Sequence, residues 1–143
     1  MIDLSRSATA KSQEKLAKRE KEASRLALVA EHATDSVILT DRFATILWVN
    51  GQFTRITGYS MKEAVGRCVA ELMDGPLTEK AATNKIIEAR KNLKPVQANI
   101  QSYCKDGSTV WMAVSQTPVF DDNGQFRMFI SVERDATASI QKK

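Results

Sequence analysis

The sequence has little of what marks a disulfide framework, a metal centre or a membrane protein. Among its 143 residues are two cysteines and one histidine. Cys68 and Cys104 could form at most one bridge and lack metal-ligand spacing, so we expect reduced thiols and no metal site. Apolar runs such as residues 26–30 are far shorter than a membrane span, and the first residues contain no apolar signal-peptide core. We expect no membrane association and a cytoplasmic location, unless the chain was cut from a larger membrane-bound protein.

Sequence patterns for catalysis are also missing. His32 is the single histidine, and no Ser/His/Asp set with a specific spacing surrounds it. No glycine-rich phosphate motif occurs. Asp106 and Asp121 belong to predicted turns, which gives no reason to pair them as general acid and base. The sequence therefore predicts that this chain is not an enzyme.

The net charge of +4 is concentrated at the start of the chain. Residues 1–30 contain seven Lys/Arg and four Asp/Glu, whereas the remainder contains fourteen and thirteen. Such a helix-forming start is typical of a solvated helix, and a dense basic stripe with aromatic platforms is missing. We expect no nucleic-acid partner.

Residues 6–34 lack Gly and Pro and are rich in strong helix formers, which predicts one long helix. When the residues are assigned to a seven-residue repeat, the a and d positions form a seam that becomes apolar toward the following domain. Its apolar residues are Leu16, Ala23, Leu26 and Ala30. Because an isolated helix of this kind is marginal in water, it needs a partner surface. It is interpreted as a coiled-coil connector, with a frayed tail as the alternative for residues 1–12.

The segment 46–60 is predicted to be a strand followed directly by a short helix. The run from Ile46 to Val49 is apolar and half β-branched, which suits a strand buried on both faces. Asn50 can cap the next helical turn, and Gly58 can end it. Ser60 and Glu63 have the spacing of a capping box that opens a further short turn.

The other elements follow from local signals. Residues 36–41 form a hairpin with the strand at Ile46, and a longer helix begins at residues 78–80 and ends before Pro95. Strands at about 96–104, 108–119 and 125–135 are joined by turns that contain Asp106-Gly107 and Asn123-Gly124. This order predicts an α+β domain with a five-stranded antiparallel sheet.

The segment from Ile46 to Ser60, followed by residues 63–67, resembles the second strand, first helix and following turn of the PAS family of sensory domains. The resemblance covers residues 28–137. It implies the PAS fold, with short helices on one face of the sheet and a long N-terminal helix. The implied domains are an N-terminal dimerisation helix at 1–27, a PAS domain at 28–137, and the start of a C-terminal connector at 138–143.

Within the family, the likeness is to flavin-containing members, including the light-oxygen-voltage subgroup. The segments that carry it are Gly58-Tyr59-Ser60, Lys105-Asp106-Gly107, Trp111, Thr117-Pro118-Val119, Asn123-Gly124 and Phe129-Ile130. The photochemical motif of that subgroup, Gly-Arg-Asn-Cys-Arg-Phe-Leu-Gln, corresponds to residues 66–73. Here Cys68 stands at the Asn and Val69 at the reactive Cys. A shifted alignment recovers the thiol but not its neighbours, so we do not expect blue-light adduct chemistry.

Alternation along the strands places a set of apolar and polar side chains on the inner face of the sheet, as small-molecule sites require. The candidate cofactor-binding residues are Ile38, Thr40, Asn50, Ser102, Met112, Val114, Gln116, Phe129 and Glu133. Ser102 and Met112 replace two Asn that contact the flavin ring in the family, and Glu133 replaces a Gln. The sequence leaves two alternatives open: the site binds FAD or FMN, or the core is filled by its own side chains. The predicted helix at 78–93 has no histidine, which disfavours heme.

Glu133 has two interpretations. An inward-facing carboxyl would have a raised pKa unless a donor meets it. A position at the rim near Arg134 is the alternative.

The end of the last strand matches the Asp-x-Thr signature of the family at Asp135 and Thr137. The resemblance implies that these residues transmit a signal to an effector of the kinase, cyclase or chemotaxis type, which this chain lacks. The outer face of the sheet, including Trp111 and Ile130, is predicted to be apolar and to form a homodimer interface with the N-terminal helix. We therefore expect a PAS sensory and dimerisation module. The alternatives are an FAD-binding redox-sensing domain and a ligand-free protein-protein interaction domain.

Overall fold

The computed structural model describes residues 10–13, which are helical, and residues 33–141. The predicted seam residues Leu16, Ala23, Leu26 and Ala30, and His32, lie outside the described residues. The chain divides into a first unit, Met1–His32, and a second unit, Ala33–Lys143. The strands belong to the second unit. The long N-terminal helix and the domain boundary at residue 27 stay predictions.

The second unit contains a five-stranded antiparallel sheet and short helices, which confirms the predicted α+β fold. Its elements in chain order are β1 (Ser36–Thr40), β2 (Ile46–Val49), α1 (Gly51–Thr57), α2 (Met61–Ala64), α3 (Val69–Met73), α4 (Lys80–Lys91), β3 (Val96–Tyr103), β4 (Thr109–Phe120), β5 (Phe126–Asp135) and α5 (Thr137–Gln141). The strand order across the sheet is β2-β1-β5-β4-β3. No helix in the described part of the chain is both long and apolar enough to span a membrane.

The prediction that β2 is buried on both faces is wrong. Ile46 and Val49 are buried, whereas 45% of Leu47 is exposed. β2 lies at one edge of the sheet, and only one of its faces packs against the core that α1 and α2 cover. Four consecutive apolar residues therefore produced a strand with a single buried face.

Local capping follows the sequence closely. The Asn50 side chain accepts the N–H of Phe53 at the start of α1, and Gly58 ends that helix at φ 84°, a conformation that glycine adopts without strain. Ser60 and Glu63 form the predicted capping box of α2. β1 ends at Thr40, one residue earlier than predicted, because the Asp41 carboxylate accepts the N–H groups of Phe43 and Thr45 and so closes the turn.

The core consists of two clusters of buried side chains. The first lies under α1 to α3 and contains Ile38, Ile46, Val49, Phe53, Ala64, Leu72 and Met73. The second lies between α4 and the β3–β4 side of the sheet and contains Ile86, Val96, Ile100, Val110, Met112 and Val114. A cavity lies where the two clusters meet, since members of both line it.

Candidate ligand cavity

The sheet forms one wall of this cavity, whose volume is about 240 Å³. Alternating positions on four strands face it, because successive side chains of a strand point to opposite faces. These residues are Ile38 and Thr40 of β1, Ile100 of β3, Val114 and Gln116 of β4, and Ser131 and Glu133 of β5. Three of these side chains are apolar and four are polar, and the polar ones lie on the three inner strands.

Helix α4 forms the opposite wall. Thr83, Ile86, Ile87 and Arg90 line the cavity, a spacing that places them on one face of a helix. The remaining side is closed by Ala44, by Cys68 and the first residues of α3, and by Asp74. The lining thus combines apolar side chains with titratable groups on different sides: Arg90 on the helix, Glu133 on the sheet, and Asp74 after α3.

Several buried polar atoms around the cavity have no hydrogen-bond partner among the described residues. They are Thr40 Oγ1, Arg90 Nε, Gln116 Nε2 and Glu133 Oε2. A buried polar group without a partner costs about 1–3 kcal/mol. Four such groups around one space are typical of a site that a polar ligand or ordered water completes.

Glu133 lies in the sheet wall and not at the rim. Only 5% of the residue is exposed, so the predicted rim position is wrong. Its strand partners are Ser36 of β1 and Val114 of β4, neither of which carries a charge. Removal of the carboxyl from water raises its pKa to about 7. Glu133 therefore changes its protonation state near neutral pH.

Arg90 is the cation of the cavity wall, and sequence reasoning missed it. Partial burial lowers the pKa of its guanidinium, whereas the neighbouring Cys68 and Asp41 act in the opposite direction. The sequence could have indicated this position, because Arg90 lies three and four residues after Ile87 and Ile86 and so shares their face of α4. Asp74, also missed, lines the cavity as an exposed residue, and partial desolvation raises the pKa of its carboxyl.

The structure brings five of the nine candidate cofactor-binding residues to the cavity: Ile38, Thr40, Val114, Gln116 and Glu133. The other four are buried elsewhere. Asn50 caps α1, Met112 belongs to the second core cluster, and Phe129 packs against the ring of Phe126 at 4.8 Å between centroids. Ser102 is buried on β3 but does not line the cavity.

Asp135 and Thr137 join the end of β5 to α5 and to β4. Asp135 Oδ1 accepts the N–H of Thr137 at 3.0 Å. The Thr137 hydroxyl oxygen accepts the N–H of Trp111 at 3.0 Å, and the N–H of Ala136 donates to the Trp111 carbonyl at 2.8 Å.

Trp111 and Ile130, predicted at a dimer interface, are half-buried. No group of three or more metal-ligating side chains occurs in the described residues.

The chain matches known proteins in sequence and in fold. A family model described as PAS domain matches residues 34–138. Phototropin-2 of Oryza sativa subsp. japonica is 35% identical over 88 residues, which are 62% of this chain and 10% of that protein. The chain therefore spans about a tenth of that relative.

Two solved structures share the fold. The LOV domain of a blue-light activated histidine kinase from Erythrobacter litoralis EL346 is 26% identical, with a TM-score of 0.69, and the match covers 74% of this chain and 99% of that one. An RNA-binding light-oxygen-voltage receptor is 23% identical, with a TM-score of 0.76, and the match covers 84% of this chain and 34% of that one. The family match includes every strand and all the cavity-lining residues. The chain thus belongs to the PAS domain family, with light-oxygen-voltage sensory domains among its relatives.

Proposed function

We propose that this chain is a sensory input module that couples the state of the cavity to α5 and, through α5, to an effector outside the chain. Glu133 lines the cavity, and Asp135 on the same strand caps Thr137 at the start of α5. Thr137 and Ala136 both form hydrogen bonds with the backbone of Trp111 on β4. The same strand contributes Val114 and Gln116 to the cavity wall. Four unpartnered polar groups in the wall are the observation that supports ligand sensing.

The effector in this proposal is of the kinase, cyclase or chemotaxis type, and the chain itself has no catalytic role. The homodimer, the cytoplasmic location and the lack of a nucleic-acid partner stay predictions. A ligand-free interaction domain is disfavoured, because such a domain would gain stability by filling the cavity or pairing its polar groups.

A double-mutant cycle tests this coupling. Glu133→Gln changes the cavity, and Thr137→Val removes the acceptor of the Trp111 N–H while retaining the side-chain shape. Thr137→Val should speed amide exchange at Trp111 and in α5 by about five- to tenfold, as expected for one lost hydrogen bond. The effect of Glu133→Gln on α5 exchange should then differ between the wild-type and the Thr137→Val backgrounds by about 0.5 kcal/mol or more.

The matched control is Thr117→Val, at an exposed position of β4. It should leave the effect of Glu133→Gln unchanged. Additive effects of Glu133→Gln and Thr137→Val on every α5 amide would show that the cavity and α5 are independent, and the proposed function would be wrong.

A flavin is the cofactor that the resemblance suggests, and the cavity does not fit it. Flavin mononucleotide is a ligand of drug size, for which pockets of about 300–1,000 Å³ are usual. The cavity here is about 240 Å³. Ser102 and Met112, at two of the positions that contact the flavin ring in the family, do not line it, and the Arg90 guanidinium occupies its helical wall.

We therefore expect purified protein without the visible absorbance of an oxidised flavin, even after titration with FMN or FAD. Blue light should cause no reversible bleaching, because Val69 offers no thiol at the family's reactive position. Absorbance spectra before and after illumination test both points. Cys68 does line the cavity, so Cys68→Ala is the control. Flavin-dependent bleaching that recovers in the dark, and disappears in Cys68→Ala, would contradict the expected result.

A further inference from the structure

The unpartnered atoms of the cavity share one chemical property, which is that each can donate a hydrogen bond. Arg90 Nε and Gln116 Nε2 are donors in every state, and the Thr40 hydroxyl can donate. Glu133 Oε2 also donates when the carboxyl is protonated, as it is below neutral pH. A ligand that satisfies these groups must accept several hydrogen bonds, and a carboxylate does so with two oxygens and about four lone-pair positions.

The lining contains one cation, Arg90, and two carboxyl groups, those of Asp74 and Glu133, so an anionic acceptor is expected at the Arg90 guanidinium. Arg90 forms no ion pair within the described part of the chain. The nearby Asp41 carboxylate forms no ion pair with Arg90 in the described residues, and its Oδ1 accepts the N–H groups of Phe43 at 2.8 Å and Thr45 at 2.9 Å. A guanidinium with an unused N–H in a partly desolvated site binds a carboxylate more strongly than a neutral acceptor.

Size and apolar lining restrict this anion further. The volume of about 240 Å³ is below that of sites for drug-sized ligands. Ile38, Ile86 and Ile100 present apolar surface between the polar groups, so the ligand body is apolar. A nucleotide or a sugar phosphate would be too large and too polar for this lining.

We propose that the cavity binds a small organic monocarboxylate with an apolar body, its carboxylate held by Arg90 and its acceptor atoms reached by Thr40 and Gln116. This inference rests on the proposed sensory function and specifies the ligand class. The carboxylate would form a charge-assisted hydrogen bond with Arg90 Nε. Its apolar body would contact the isoleucine side chains of the wall.

Binding should depend on pH through Glu133. The titratable groups that line the cavity are Cys68, Asp74, Arg90 and Glu133. An ionised Glu133 would repel a carboxylate ligand, whereas the neutral acid would donate to it. Because the pKa of Glu133 is about 7, the neutral fraction falls about tenfold between pH 6 and pH 8. Affinity should fall by a similar factor.

The test uses the full chain with benzoate and hexanoate as probes and benzamide as the neutral counterpart of benzoate. Binding is measured by calorimetry, and contacts are located by amide chemical shifts. At least one carboxylate should bind at pH 6, with shifts in β4 and α4, and bind about tenfold more weakly at pH 8. Benzamide should bind at least tenfold more weakly than benzoate if benzoate is the probe that binds.

Two variants locate the site. Arg90→Gln should weaken carboxylate binding at least tenfold, whereas Arg127→Gln, at an exposed position of β5, should not. Glu133→Gln should bind at pH 6 and pH 8 with similar affinity, because glutamine stays neutral. Failure of both carboxylates to bind, or binding that Arg90→Gln leaves unchanged, would overturn the inference. The exchange cycle with Thr137→Val uses no ligand, so it tests the proposed function independently.

Discussion

Replacement of Glu133 by glutamine should stabilise the protein above pH 7 and have little effect on stability near pH 4. The carboxyl is buried, and its pKa rises from the ordinary value of 4.5 to about 7 in the folded protein. The folded state therefore holds this proton more tightly than the unfolded state, and stability is lost as the pH rises between these two values. The difference corresponds to about 3 kcal/mol, and most of it is already lost at pH 7.

Glutamine retains the shape and remains neutral, so the variant avoids this loss. Denaturant unfolding of the wild type and of Glu133→Gln should give similar free energies of unfolding at pH 4 and a difference of about 2–3 kcal/mol at pH 8. Glu71→Gln is the control, because Glu71 is exposed and pairs with Arg67 on the surface. Its effect should stay below about 1 kcal/mol at both pH values. Parallel stability curves for the wild type and Glu133→Gln would show that Glu133 is ionised without cost in the folded protein.

The sequence predicted the inner face of the sheet because strand alternation is a local property. Once β4 and β5 were identified, the period of two placed Val114, Gln116 and Glu133 on one face, and the structure has them there. The same holds for the caps at Asn50 and Ser60, since each cap depends on residues within one helical turn.

Arg90 could not be placed in the cavity from the sequence. The pattern of α4 shows which residues share a face, but the rotation of that face toward the sheet depends on the connections at both ends of the helix. Thr78 bonds to the Gln101 carbonyl before α4, and Lys94 bonds to the Ala89 carbonyl after it. The bond from Thr78 ties the start of the helix to β3 and joins distant parts of the sequence, whereas the bond from Lys94 is local and ends the helix. The sequence therefore shows that Arg90 shares a helix face with Ile86 and Ile87, but it does not show that this face lies against the sheet.

Leu47 shows a second limit. A run of four apolar residues fits a strand that is covered on both faces or one that is covered on one face, and local sequence does not separate the two cases. The register between β1 and β2 decides between them, because Thr40 pairs with Ile46 and Leu39 with Trp48, which leaves Leu47 as the extra residue of a β-bulge. Such a bulge depends on the pairing of the two strands and not on the apolar run alone.

Asn50 was predicted both as a helix cap and as a candidate cofactor contact, and the structure places it in the core of the fold. Only 1% of the residue is exposed. Its Oδ1 accepts the N–H of Val37 at 3.0 Å and of Phe53 at 3.1 Å, and its Nδ2 donates to the Asp35 carbonyl at 3.0 Å. One side chain thus joins β1 and the segment before it to the first turn of α1.

Asn50→Ala should therefore be among the most destabilising single substitutions outside the apolar core. It removes all three bonds and leaves two buried N–H groups without their acceptor. Each buried unsatisfied group costs about 1–3 kcal/mol, so the expected loss in the free energy of unfolding is about 3–5 kcal/mol. Asn50→Asp keeps the acceptor oxygen but loses the donation to the Asp35 carbonyl and buries a carboxyl, so it should cost less than the alanine variant at a pH that keeps this carboxyl protonated.

Asn84→Ala is the matched control, since Asn84 is exposed within α4 and alanine favours a helix. Its effect should lie within about 0.5 kcal/mol. Denaturant unfolding of the three variants at one pH gives the comparison. A loss below about 1 kcal/mol for Asn50→Ala would mean that water replaces the side chain at both N–H groups. The junction of β1 and α1 would then be more open to solvent than its burial indicates.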